Sequence, residues 1–271
     1  MSLTWLDLLK AFALGTLAGL TAFIPVSWSG HLLLAQRFLG LDDAAFGGSF
    51  MALIELGALL ALLSVYFGRL RRLATEMFSD PAARRFVIGV LLAFLPAAVA
   101  GALAHYLIGS LLLNVWIVCF ALIVGGAVLL WVDQLERAPR HHDATGFSLP
   151  MYFVIGLAQC LALIPGVSRS GASIVAAMLL GADRRAAAEF SFWLAMPTMA
   201  GALAYDLYQS PARISSEEAV IIAIGFAAAF VAAWCVVRTF LDYVSRHGLR
   251  LFAWWRVLVG SLGLIALALR Y

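Results

Sequence analysis

The chain has 271 residues, 64% of them hydrophobic and only 12% charged, with a mean hydropathy of +0.98. In a soluble globular domain about 25% of residues are charged, so this composition excludes one and leaves an integral membrane protein with room for roughly six to eight spans of about 20 residues. The net charge is +3, with Arg supplying 17 of the 18 basic residues and Lys10 the other, and no basic patch reads as a nucleic-acid surface.

Asp7 and Lys10 flank the start of the first apolar run, residues 8–24, and no small-residue cleavage site follows, so the segment reads as retained. It ends at Pro25-Val26-Ser27-Trp28-Ser29-Gly30-His31, and a second short run covers 32–39. Two short apolar pieces around a Pro/Gly break predict a hairpin that re-enters the membrane instead of crossing it. Gly15 and Gly19 form a GxxxG stripe, suited to close helix packing within the chain or, less commonly, to a homodimer. After a polar connection, Gly40 to Gly48, a span is expected at 49–67. It carries Glu55, a carboxylate that costs several kcal/mol at membrane depth unless protonated, paired or hydrated. Glu55 is therefore a functional candidate, a structural pair with an Arg being the alternative. Arg69, Arg71, Arg72, Arg84 and Arg85 place the next loop in the cytoplasm by the positive-inside rule. Spans follow at 86–108 and 115–131.

Polar residues 133–148 divide a single transmembrane domain, 1–271, into halves at about 1–132 and 149–271. His141-His142 in this segment reads as solvated loop before metal site, because no second ligand cluster sits nearby. The second half opens with apolar residues 156–164, a Pro165-Gly166 break and a resumed helix at 172–180. Ser168, Arg169, Ser170, Gly171 and Ser173 lie at that break. A half-helix starting near Ser170 would aim N–H groups and a positive dipole end at the break, beside a guanidinium and several hydroxyls, which makes an anion site suited to phosphate. Spans are expected at 188–208, 219–239 and 253–269, with Arg238, Arg246, Arg250 and Arg256 decorating the last connection. Glu189 reads as a structural partner of Arg184 or Arg185, and His105 and Asp206 as interfacial. Cys119, Cys160 and Cys235 read as buried small apolar residues, not a disulfide or metal set.

The halves echo each other: LAGLTAFIPVSWSG (17–30) aligns with LAQCLALIPGVSRSG (157–171) after one inserted Gly. Gly/Pro-interrupted short segments at corresponding places predict repeats meeting at a central site. The expected fold is all-α: a polytopic membrane helix bundle with two re-entrant helix–loop–helix hairpins in inverted repeats.

Five segments, PVSWSGHLLLA (25–35), LPAAVAGALAH (95–105), IPGVSRSGASI (164–174), AAAEFSFWLAMP (186–197) and SRHGLRLFAWWRVLVG (245–260), resemble the undecaprenyl pyrophosphate phosphatase family of the bacitracin-resistance type, in the family's order and over nearly the whole chain. The resemblance implies a multi-pass protein of the bacterial inner membrane that removes the terminal phosphate of the C55 polyprenyl pyrophosphate lipid at the periplasmic side, with Mg2+ or Ca2+ as divalent cofactor. It also carries over Ser27, Ser29 and His31 in the first hairpin, and Ser168, Arg169, Ser170 and Ser173 in the second, Ser173 standing where Thr is usual. Two departures matter. The family's first motif has two glutamates, where this chain has Ala18 and Ala22, and Trp28 replaces a serine. Glu55, where the family usually has glutamine, is the group placed to supply the lost carboxylate and any metal ligand.

On this reading Arg169 grips phosphate oxygens, the serines complete the cradle, and His31 serves as general acid, base or nucleophile if the hairpin tips meet, a backbone-bonding role being the alternative. Two functions remain open: a working pyrophosphate phosphatase with catalytic His31, Arg169, Ser27 and Glu55, or an altered homologue that binds or translocates polyprenyl phosphate.

Overall fold

The computed structural model of the chain describes residues 4–39, 48–107, 114–135, 138–209 and 216–270. The described residues form ten α-helices and no strand: α1 Trp5–Thr21, α2 Trp28–Leu39, α3 Gly48–Glu76, α4 Pro81–Leu107, α5 Val115–Asp133, α6 Leu149–Gln159, α7 Arg169–Leu179, α8 Arg184–Gln209, α9 Ser216–His247 and α10 Arg250–Arg270. The expected connection 40–48 falls almost wholly outside them, as does the side chain of His105. Five helices, α3, α4, α5, α9 and α10, are long and apolar enough to cross a membrane. The expected span at 188–208 is present as α8, a 26-residue helix broken in hydropathy by Glu189, Ser191, Thr198 and Asp206.

Side-chain caps set the helix starts. Thr4 and Asp7 form a capping box at α1, Asn114 caps α5, Ser148 caps α6 and Ser168 caps α7. The α7 helix therefore begins at Arg169, three residues before the apolar run suggests. After Gln159 the chain tightens into a 3₁₀ turn, Cys160–Leu163, before the Pro165-Gly166 break.

Small residues set the packing. Gly15 and Gly19 press on the Gly225 and Ala229 carbonyls of α9, where any Cβ would collide with backbone, and Gly156 of α6 does the same against Ala93 of α4. The GxxxG stripe is thus consumed within the chain. Gly89 of α4 meets Tyr152 of α6 in turn, so residue numbers rise together across both interfaces: α1 runs parallel to α9 and α6 runs parallel to α4.

The ion pairs define one arginine end of the bundle. Arg69 pairs with Glu189, Arg185 with Asp242 at 2.7 Å, and Arg184 with Asp133 at 2.7 Å, Arg250 lying 3.8 Å from the same carboxylate. Glu189 therefore finds its partner on α3, not in the adjacent Arg184 or Arg185 as expected from its helix. The segment leaving α5 lies at this end too: Asp183 N–H donates to His141 O and His142 Nδ1 meets Asp183 at 2.8 Å, so the histidine pair straps the α7–α8 turn. The α6 helix starts at the arginine end and α1 at the opposite one, and their breaks touch midway: Ser170 Oγ donates to Ile24 O at 2.9 Å.

Candidate functional site

In the first break Pro25 withholds an N–H, and Ser27 adopts a left-handed backbone with φ 79°, unusual for a non-glycine. That turn lets Ser27 Oγ accept from Gly30 N–H at 3.3 Å and Ser27 O accept from His31 N–H at 3.2 Å. The His31 ring folds back so that Nδ1 also meets Ser27 O, at 2.8 Å, while Trp255 Nε1–H donates to Nε2 at 2.8 Å. An indole nitrogen only donates and a carbonyl only accepts, so Nε2 is the acceptor and the proton resides on Nδ1. Both ring nitrogens are used.

In the second break Ser168 Oγ caps α7 by accepting from Gly171 N–H at 3.1 Å and lies 3.2 Å from Ser170 Oγ. The Ser173 hydroxyl turns back onto the carbonyls of Arg169 and Ser170 at 3.2 and 3.1 Å, and is 1% exposed. The N–H groups of Arg169 and Ser170 precede the first intrahelical bond, Ala172 N–H to Ser168 O, and stand at the positive end of the α7 dipole.

Both breaks open onto one cavity of about 710 Å³. Trp28 and Ser29 come from the first hairpin, Ser168, Arg169 and Ser170 from the second, and Glu55 from α3. Arg169 Nη1 reaches Glu55 Oε1 at 3.3 Å across these elements. The side walls, from α4 and α8, are mostly apolar and small, including Ala97, Ala98, Gly101, Gly201 and Ala202. The site therefore joins a charged, hydroxyl-lined end, with Arg169 facing Glu55, to an apolar trough.

The sequence-predicted residues divide into two shells. Ser29, Glu55, Ser168, Arg169 and Ser170 reach the cavity wall, whereas Ser27, His31, Gly171 and Ser173 stand behind it and shape the turns. Five polar residues on the wall, Thr21, Gln159, Thr198, Tyr205 and Asp206, escaped the sequence reading. Gln159 donates to Thr198 Oγ1 at 3.2 Å, and Asp206, expected at an interface, lines the same cavity. Gln159 was signalled only by being polar within an apolar run. Arg256, expected in a loop, is 2% exposed beneath the two breaks.

The wall is a poor resident cation site. Among the described residues no group of three or more His, Cys, Asp or Glu gathers to hold a metal. Ala22 stands on the cavity wall and Ala18 is fully buried in packing, so neither supplies oxygen; of the two carboxylates on the wall, Glu55 is already paired with Arg169, which leaves Asp206 as the other. The donor set does not fit a bound divalent ion on its own.

Residues 11–262 match the family described as bacitracin resistance protein BacA. The chain belongs to that family. It is 65% identical over 263 residues to an undecaprenyl-diphosphatase of Rhodopseudomonas palustris strain BisB18, covering 97% of this chain and 98% of the relative. With the undecaprenyl-diphosphatases of Afipia carboxidovorans and Nitrobacter hamburgensis it shares 61% identity at the same coverage. BacA membership accounts for the shared motifs at both breaks. The alanines at 18 and 22 and the carboxylate at 55 lie within the matched region, so they sit inside the family's own fold, and Glu55 faces the same cavity as Ala22.

Proposed function

We propose that this multi-pass membrane protein removes the terminal phosphate of undecaprenyl (C55) pyrophosphate and so recycles the cell-wall lipid carrier, the activity that its relatives' name states. The observation that carries the reading is the Arg169–Glu55 pair at the mouth of a helix dipole, set between hydroxyls of both breaks and opening onto an apolar trough. A lipid pyrophosphate has that form: an anionic head on a hydrocarbon tail.

In this reading the head group binds at the α7 start. Arg169 and the N–H groups of Arg169 and Ser170 grip the terminal phosphoryl oxygens, and the Ser29, Ser168 and Ser170 hydroxyls complete the cradle. A water oxygen attacks the terminal phosphorus and the bridging P–O bond breaks, giving inorganic phosphate and polyprenyl phosphate. Glu55 takes the proton of the water and returns it to the leaving oxygen, while Arg169 turns from Glu55 to the charge that develops on the phosphoryl group. His31 and Ser27 act by fixing the first break. A divalent cation, Mg2+ or Ca2+, would fit this wall only together with the substrate's own oxygens.

Orientation follows from charge. The arginine end belongs in the cytoplasm of a bacterial inner membrane. Glu55 lies about 21 Å along α3 from Arg69, and Asp206 about 33 Å along α8 from Arg184, at 1.5 Å per residue, so the cavity extends toward the opposite, periplasmic end. The two hairpins are then re-entrant, entering from opposite faces as the arms of an inverted repeat. The test is phosphate release from C55 pyrophosphate by purified protein in detergent. Release is expected, with kcat lowered at least about 100-fold by Glu55→Gln and a comparable or larger loss in Arg169→Ala. Tight binding of the lipid without release would overturn hydrolysis in favour of a carrier.

A further inference from the structure

Arg256 belongs to α10, yet its guanidinium ends between the two hairpin breaks. Nη1 donates to Pro25 O at 3.1 Å in the first break, and Nη2 donates to Gly166 O at 3.1 Å in the second. The same head is anchored below by α5, with Nη2 donating to Ala121 O at 3.0 Å and Nε to Leu122 O at 3.3 Å. All of these partners are backbone carbonyls, so the head is held by dipoles. A buried guanidinium costs several kcal/mol to desolvate, and a packed apolar residue would often be cheaper. Its place between the breaks supplies the reason: Pro25 and Gly166 carbonyls have no helical partner there, and one planar fork satisfies both.

Arg256 does not line the cavity. What it fixes is the separation of the two tips. With Pro25 and Gly166 held on one guanidinium, Ile24 O meets Ser170 Oγ, and Gly30 packs so close to Gly166 that a Cβ at position 30 would lie 3.1 Å from its Cα. Ser29 is then held opposite Ser168, Arg169 and Ser170. We propose that Arg256 is a positioning residue of this phosphatase, tying both hairpin tips into the spacing that the phosphoryl cradle needs. The inference rests on the phosphatase reading. Small displacements of positioning groups cost about 100-fold in rate, so the effect belongs in kcat and not in the affinity for the lipid.

The α5 helix offers a way to move the guanidinium while leaving Arg256 in place. A Cβ on Gly125 would coincide with Arg256 Nη2, and all three of its nearest neighbours are atoms of that side chain. Gly125→Ala therefore pushes aside the end of a flexible side chain and spares backbone, at a helical position where Ala is the better residue. C55 pyrophosphate hydrolysis by the purified full chain is to be compared with Gly125→Ala, Arg256→Lys and the double variant, each with a thermal melt. Both single variants are expected to lose at least about 30-fold in kcat with KM within about threefold, and Gly125→Ala to fold cooperatively but to melt several degrees below the unaltered chain, because it loosens charge-assisted bonds of a buried guanidinium. The double variant is expected to be no worse than the worse single one by more than about threefold, because both act through the same group. A folded Gly125→Ala with full kcat, losses that multiply in the double variant, a change confined to KM, or failure of both single variants to fold would each overturn the proposal. Failure of the unaltered chain to release phosphate would instead remove the phosphatase reading itself.

Discussion

His31 and Glu55 differ in how far their side chains are already committed. An imidazole near a phosphate cradle invites a catalytic role, but here both ring nitrogens are committed, Nδ1–H to Ser27 O and Nε2 to the Trp255 indole. Trp255→Phe removes the indole donor together with part of a ring that is 47% exposed, so a stability loss of about 1 kcal/mol is expected, read as a lower melting temperature, with activity within about threefold. An activity loss above tenfold at unchanged stability would put the His31 ring into the chemistry. Glu55 was legible as functional because a carboxylate inside an apolar span demands a partner; the sequence could not say that the partner was Arg169, 114 positions away. Ala22 shares the cavity wall with Glu55, which gives a second expectation at this scale. Ala22→Glu adds a third carboxylate to the Glu55 and Asp206 already on the wall, so Ca2+ measured by calorimetry without substrate should bind at least about tenfold tighter than to the unaltered chain. Equal binding by both would show that the wall already holds the ion.

At the level of elements, breaks were easier to read than faces. Pro25, Pro165 and Gly166 punctuate apolar runs and mark both breaks, where Ser27 at φ 79° and Gly166 at φ 91° leave the helical region; proline alone is not enough, since Pro96 and Pro197 sit inside α4 and α8 without ending them. The expected limits of α3 and α9 fell short, because helices at the arginine end continue past the apolar stretch, to Glu76 and His247, supported by exposed Arg side chains. Faces were hidden. Arg256 reads with the last connection although it already falls inside the expected span 253–269, and no local pattern shows that its face of α10, which begins at Arg250, is turned inward. Likewise the partner of the Gly15–Gly19 stripe is set by tertiary contact with α9, which no local pattern encodes. That contact has a mechanical consequence. Gly15→Leu would drive a side chain into the Gly225 backbone and lever α1 off α9, at a cost of about 1–3 kcal/mol or more, lowering melting temperature and activity together. Leu20→Ala, at a position 43% exposed, should leave both nearly unchanged. Equal melts for the two variants would contradict the packing.

Across the whole molecule, charge and direction are coupled through the ion pairs. Arg69 to Glu189 ties α3 to α8, Arg185 to Asp242 ties α8 to α9, and Asp133 ties α5 to Arg184 and Arg250. The helix ends carrying these groups must therefore face one side of the membrane, and the start of α1, at the far end of its parallel run with α9, must face the other. Single cysteines make this visible once Cys119, Cys160 and Cys235 are replaced. Trp5→Cys marks the far end, where the side chain is 84% exposed, and Thr75→Cys marks the exposed arginine end. With a membrane-impermeant maleimide on intact spheroplasts, Trp5→Cys is expected to label and Thr75→Cys to stay protected, with the reverse pattern in inside-out vesicles. In the proposed orientation the cavity, whose wall reaches Asp206 near the α8 terminus, would face the labelled side. Labelling of both positions from one side would break the parallel arrangement of α1 and α9, whereas a clean reversal would keep the fold and turn the cavity to the cytoplasm, moving phosphate release to the other face of the membrane.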